Sequence, residues 1–168
     1  MKVQQRLAKT RIAARKASFP EHSHQRILVV DHDDDVRQLS VDVLSESSYD
    51  VEAVASGSAG WRALQHNQYD LIITENAMPG MTGMEMIEKL RSANIALPVI
   101  MATKHLPRHE LARKPWLKPA ATLPRPFSID DLLAAVKTVL HRDSHTAPSC
   151  AITPEPAFEH AGKHLLRP

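Results

Sequence analysis

Two carboxylates, a hydroxyl and a guanidinium stand at equivalent points along this chain, each at the end of a short apolar run. Asp31 follows residues 27–30, Glu75 follows 71–74, Thr103 follows 99–102, and Arg125 comes just after Thr122 and Leu123. Carboxylates hold cations, while a hydroxyl and a guanidinium serve anions. The planar fork of arginine also grips a carboxylate through two parallel hydrogen bonds, which lysine does not. If the fold gathers these residues, Glu75 and Arg125 form a standing ion pair with Thr103 as a further donor. His32 sits between Asp31 and Asp33 and brings an imidazole to the same place. His32, Asp31 and Glu75 together would suit a transition-metal ion. The plainer alternative is a partly exposed neutral histidine with no ligand role.

The runs that carry these residues have the length and composition of strands. Residues 27–30, 51–55, 71–74 and 99–102 are rich in Val and Ile, with 122–123 as a weaker fifth. Between them, Val36/Leu39/Val43/Leu44, Trp61/Leu64 and Met84/Ile87/Leu90 follow helical spacing. So does the last series, Ile129/Leu132/Leu133/Val136/Val139/Leu140, with Ser128 as its N-cap and Asp131 three residues on. Pro115 and Pro119 donate no backbone hydrogen bond and disfavour helix in the residues before them. The fourth helix is therefore expected to be short, about residues 107–113, with an extended or turn segment through Trp116. Strands that alternate with helices and are apolar on both faces predict a parallel sheet covered on both sides. In a doubly wound sheet, ligands bind beyond the carboxyl ends of the strands. Asp31, Glu75, Thr103 and Arg125 all fall there.

Residues 69–83, YDLIITENAMPGMTG, are similar to the phosphoacceptor segment of response-regulator receiver domains (the CheY-like superfamily), where a buried strand ends in an aspartate. Glu75 holds the acceptor position here. ILVVDHDDDVR over residues 27–37 resembles the first strand and its acidic turn. LPVIMAT over 97–103 resembles the fourth strand with its hydroxyl residue, Thr103. LPRPFS over 123–128 resembles the Lys-Pro-Phe turn, with Arg125 for lysine. KPWLKPAATL over 114–123 resembles a subset of single-domain receivers.

The resemblance covers about residues 25–141. It implies a flavodoxin-like, doubly wound α/β fold, a five-stranded parallel sheet of order 2-1-3-4-5 with helices on both faces. It also implies Mg2+, held by two acids after the first strand, the acceptor carboxylate and a backbone carbonyl, here that of Ala77. Asp31 matches the first acid, but His32 stands where the second belongs. Magnesium is a hard ion that prefers oxygen ligands, so Asp31, His32, Glu75 and Ala77 make at best a weak site. Asp33 is expected to point elsewhere. Glu75, Thr103 and Arg125 are the residues matching the family's phosphoacceptor chemistry. The extra methylene of Glu75 carries its carboxylate outward by about 1.5 Å, where near-attack geometry is unforgiving at about 1 Å. Thr122 replaces the usual aromatic switch residue, so that relay is expected to be absent. Trp116 is either an exposed anchor on the partner-binding face or a packing residue at the sheet edge.

Composition bounds the rest. A chain of 168 residues with 43% hydrophobic content suits one soluble domain with tails. These are a basic arm over residues 1–25, the receiver over 26–141 and a disordered tail over 142–168. No apolar run is long enough to span a membrane, and none follows the basic N-terminus, so neither an integral membrane protein nor a signal peptide is expected. Cys150 alone makes no internal disulfide, which fits a reducing cytoplasm. Residues 1–26 carry seven Lys/Arg against one acid, residues 27–141 eleven against fifteen, and residues 142–168 three against three. Lys2, Arg6, Lys9 and Lys16 can share a helix face with Val3, Leu7 and Ala14 beside them. Residues 1–16 thus offer a route to nucleic acid or an anionic surface, or form a solvated extension. His22 and His24 read as exposed loop residues.

Three functions follow from this reading. The first is a receiver protein of two-component phosphorelay signalling without an output domain and not an enzyme. It would be a phosphorylation-independent adaptor whose fourth helix, fifth strand and fifth helix bind a histidine kinase or downstream target. The second is a conventional response regulator with residual Mg2+-dependent phosphotransfer. The third is a nucleic-acid-associated protein acting through the basic arm, although no reading motif such as a helix-turn-helix accompanies it.

Overall fold

In a computed structural model, which describes residues 24–143, the apolar runs become five strands and the helical-period segments five helices. In chain order these are β1 (Arg26–Val30), α1 (Asp34–Glu46), β2 (Asp50–Val54), α2 (Gly57–His66), β3 (Leu71–Thr74), α3 (Gly83–Ser92), β4 (Val99–Thr103), α4 (Arg108–Arg113), a 3-10 turn (Pro115–Leu117), β5 (Ala121–Pro124) and α5 (Ile129–Asp143). The expected arm and tail lie outside the described residues, apart from residues 24–25 and 142–143. The five strands form one parallel sheet in the order β2-β1-β3-β4-β5, which is the architecture expected from the sequence. No helix among the described residues is long and apolar enough to cross a membrane.

Strand alternation distributes the apolar side chains between two cores, one on each face of the sheet. Leu28, Val30, Ile72, Val99 and Met101 pack with Leu64 of α2 and with Ile87 and Leu90 of α3. Ile27, Val29, Leu71, Ile73 and Ile100 pack with Val43 and Leu44 of α1 and with Leu132 and Val136 of α5. The central strands β1, β3 and β4 are therefore apolar on both faces, but the edge strands are not. Every residue of β2 is at least partly exposed, and in β5 only Leu123 is buried. The second strand also begins and ends one residue earlier than the apolar run 51–55 indicated.

Helix phase corrects two core assignments. Leu39 is 43% exposed, and Ser40 takes the buried position, its hydroxyl donating to the Val36 carbonyl at 2.8 Å. The buried arc of α1 comprises Ser40, Val43 and Leu44, and Leu39 lies about a quarter turn from its middle, just beyond its margin. Ile129, the first residue of α5, is exposed as well. The N-cap of α5 is as expected: Ser128 and Asp131 bond reciprocally, with the Asp131 N–H donating to Ser128 Oγ at 3.1 Å.

A polar network closes the opposite end of the sheet from the predicted site. The Tyr69 hydroxyl donates to Glu52 Oε2 at 2.5 Å, Asn67 donates to both, and the Arg26 guanidinium lies 5.2 Å from the Tyr69 ring centroid. Burial first, then the bond to Glu52, pushes the Tyr69 phenol from 10.0 up to about 12. The unfolded chain loses this proton first, so the native state holds the extra proton between those two values. The network's full contribution is present below pH 10.0 and is lost as pH rises toward about 12. Urea unfolding across that window is expected to show a decline that is smaller in Tyr69→Phe.

Candidate functional site

Parallel register ends β1, β3, β4 and β5 together. Val30 pairs with Thr74, Thr74 with Met101, and Thr103 with Pro124. The residues leaving those strands therefore meet at one pole. Asp31, Glu75 and Thr103 are buried there, each under 5% exposed. The Arg125 side chain reaches in from the end of β5 and is 7% exposed.

Arg125 is the centre of the arrangement. Its Nη2 is hydrogen-bonded to Asp31 Oδ2, and its Nε lies 3.4 Å from Glu75 Oε2. The second contact is an ion pair without hydrogen-bond alignment, so the buried Nε–H has no acceptor. Phe127 flanks the same guanidinium, 5.9 Å from ring centroid to charge. Burial pulls the guanidinium below its ordinary value, yet arginine starts so high that it stays cationic. The expected Glu75–Arg125 pair is thus one half of a triad in which Asp31 holds the tighter contact.

Glu75 does not extend outward, as its added methylene led us to expect. Its Oε1 turns back and accepts from the backbone N–H of Asn76 at 2.6 Å and of Ala77 at 3.0 Å. A buried carboxylate needs donors, and the chain leaving β3 supplies two free amides within reach. Thr103 likewise does not serve Glu75. Its hydroxyl closes a local turn, donating to the His105 carbonyl and accepting from the His105 N–H, both at 3.3 Å.

Three supporting residues were not identified from the sequence. Arg37 donates from Nη1 to the Asp31 carbonyl at 2.9 Å and pairs with Asp34. Asn76 Oδ1 accepts from the Met84 N–H at 3.1 Å, tying the loop after β3 to the start of α3. Thr74 Oγ1 donates to the Glu75 carbonyl at 3.0 Å. Each supports the site through a backbone group, so no charge pattern marks that contact. Gly83 completes the enclosure: a Cβ there would lie 2.6 Å from the Glu75 carbonyl oxygen, so α3 approaches the site only as closely as glycine allows.

Whether these groups fit a divalent cation follows from the same contacts. Asp33 points away to cap α1, accepting from the N–H groups of Asp35 and Val36. His32 is 46% exposed, with Nδ1 4.0 Å from Asp31 Oδ1. Ala77 faces Glu75 through its N–H. The guanidinium already supplies the positive charge between Asp31 and Glu75. Among the described residues no group of three or more His, Cys, Asp or Glu converges as a metal site. Magnesium takes near-octahedral oxygen coordination, and this donor set does not fit it. Nor do His32, Asp31 and Glu75 assemble for a transition metal.

Comparison with known proteins agrees with the geometry of the fold. The family model of the response regulator receiver domain matches residues 27–137. Response regulator MprA of Mycobacterium sp. strain KMS is 34% identical over 121 residues, which is 71% of this chain and 52% of MprA. The chain spans about half the length of the curated relatives it matches. Among solved structures, the chemotaxis response regulator CheY4 of Vibrio cholerae has a TM-score of 0.63 at 27% identity, covering 70% of this chain and 99% of CheY4. TrrA of Thermotoga maritima, solved in complex with Mg2+ and BeF, has a TM-score of 0.61 at 26% identity, covering 68% and 98%.

Proposed function

Because the chain belongs to the response-regulator receiver family, we propose that it is a two-component signalling adaptor that works without being phosphorylated. The observation that carries this reading is the Arg125 guanidinium held between Asp31 and Glu75. Receiver domains generally bind Mg2+, and phosphoryl transfer depends on positioning and on neutralising the charge of the incoming group. In this chain the internal cation occupies the acids that would hold a metal, and His32 offers no oxygen. Glu75 is committed to its own backbone amides. Magnesium binding is then weak or lost, Glu75 is a poor acceptor, and the domain carries no catalytic activity of its own. Its part is to present one conformation to a histidine kinase or a downstream target through the face of α4, β5 and α5.

A second reading is supported by the buried Asp31 and Thr103, which match two positions of the family's site. On that reading the chain is a response regulator with residual Mg2+-dependent phosphotransfer. Intact-mass analysis after incubation with a small phosphodonor and Mg2+ separates the two. The adaptor gains no phosphoryl group under conditions that label a conventional receiver run beside it. A gain on the wild type sinks the adaptor reading, and mapping the modified residue then identifies the acceptor.

A further inference from the structure

Resting on the reading of this chain as a partner-binding receiver, we propose that α4 and the 3-10 turn form a docking surface for an acidic protein segment, anchored by Trp116. Of the eleven Lys/Arg and fifteen Asp/Glu in residues 27–141, five and one fall within residues 104–118, which leaves six and fourteen for the rest. The five are Lys104, Arg108, Arg113, Lys114 and Lys118, set against Glu110. Lys114 is paired with Glu88 at 2.7 Å. Among the described residues no carboxylate pairs with the other four, all of which are exposed. The segment of α4 and the turn is thus a basic stretch on an otherwise acidic domain.

Trp116 stands in that stretch with 63% of its surface exposed, more than any other large hydrophobic residue described. Its backbone is not loose. Leu117 beside it is 1% exposed, and the turn is closed by the Leu117 N–H to the Lys114 carbonyl at 3.0 Å and the Lys118 N–H to the Pro115 carbonyl at 3.2 Å. The turn packs on α3 and α4. A tryptophan on a fixed turn has no backbone left to order on binding and only two side-chain torsions, and Trp, Tyr and Arg are the residue types enriched at binding hot spots. The other exposed large hydrophobics have the opposite surroundings. Ile129 is followed by Asp130 and Asp131, and Leu39 lies on a helix with Asp35 and Asp42.

The surface fits a peptide better than a nucleic acid. Single-stranded nucleic acids use several stacking aromatics along a basic groove, and here one aromatic projects from a turn. A long polyanion would also run off the basic stretch onto the acidic remainder, whereas a short acidic segment with an apolar contact for Trp116 would not.

Selection of a random-peptide phage library on the full chain, without Mg2+ or phosphodonor, tests this. Recovered peptides are expected to be enriched in Asp and Glu around large apolar residues. The consensus peptide should bind in a salt-sensitive way, at least about thirtyfold more weakly to Trp116→Ala and more weakly to an Arg113→Glu, Lys118→Glu double variant. Absence of acidic enrichment, binding indifferent to Trp116→Ala, or preference for an oligothymidine over the peptide overturns the proposal. So does a concentration-dependent dimer in sedimentation that Trp116→Ala abolishes, since the occupant is then a second copy. Labelling by a phosphodonor with peptide binding intact would defeat the adaptor reading alone, and an unlabelled protein without peptide binding would defeat this inference alone.

Discussion

Replacing Arg125 with methionine is expected to destabilise the protein by about 3–5 kcal/mol, measured by urea unfolding at neutral pH. The change keeps much of the side-chain volume but strips the cation from Asp31 and Glu75, two buried carboxylates in one pocket. Removing one partner of a buried ion pair is costly because the remaining charge stays out of water without compensation. Against a native stability of about 5–15 kcal/mol, that is a large share. Arg125→Lys should fall between, since a compact ammonium keeps the charge but cannot reach two acids as a planar fork does. Neutralising all three residues together, with Asp31→Asn, Glu75→Gln and Arg125→Met, should recover part of the loss, because no charge is then stranded. A loss under about 1 kcal/mol for Arg125→Met, the size of an exposed pair, would mean that water reaches the triad.

The second large effect is chemical. Glu75→Asp combined with His32→Asp is expected to take up one phosphoryl group from a small donor in the presence of Mg2+, where the wild type does not. Aspartate withdraws the carboxylate by one methylene, and a misplacement of about 1 Å costs on the order of 10²-fold in rate. His32→Asp supplies the missing oxygen ligand. Arg125 would still grip Asp31 in this double variant, so adding Arg125→Lys should speed labelling further. The expected order is triple variant, then double, then wild type, read by intact mass over time. If neither variant gains mass, the three substitutions are not what silences the site, and enclosure by the loop after β3 becomes the better explanation.

The fold could be read from the chain because each level of it agreed with the next. Three central strands buried on both faces left continuous apolar runs, and the helices between them kept a 3.6-residue period. Edge strands and helix margins were harder. Leu39 is apolar and at helical spacing, yet only phase relative to Ser40, Val43 and Leu44 decides its exposure, and one sequence does not set that phase. At the site, position came through and contact did not. Asp31, Glu75, Thr103 and Arg125 reach one pole because strand ends dictate it. Which partner each chooses depends on local donors within a few ångströms. Glu75 found its own amides, Thr103 found His105, and Arg37 found a carbonyl. None of those contacts leaves a mark in residue type or spacing.

The far border of the sheet carries a consequence for how this protein behaves when concentrated. Among the described residues β5 has no neighbour beyond it; it is four residues long and ends in Pro124, with Pro126 two residues later and Pro119 just before it. An open strand edge is a template on which other chains can add by backbone pairing, the first step toward fibrils. Proline has no N–H to offer an incoming strand, and so short a run gives it few places to register. Pro119, which with Pro115 disfavours helix after α4, thus also stands at this edge, and the short strand leaves the surface around Trp116 free to meet a partner without recruiting another copy through the strand beside it.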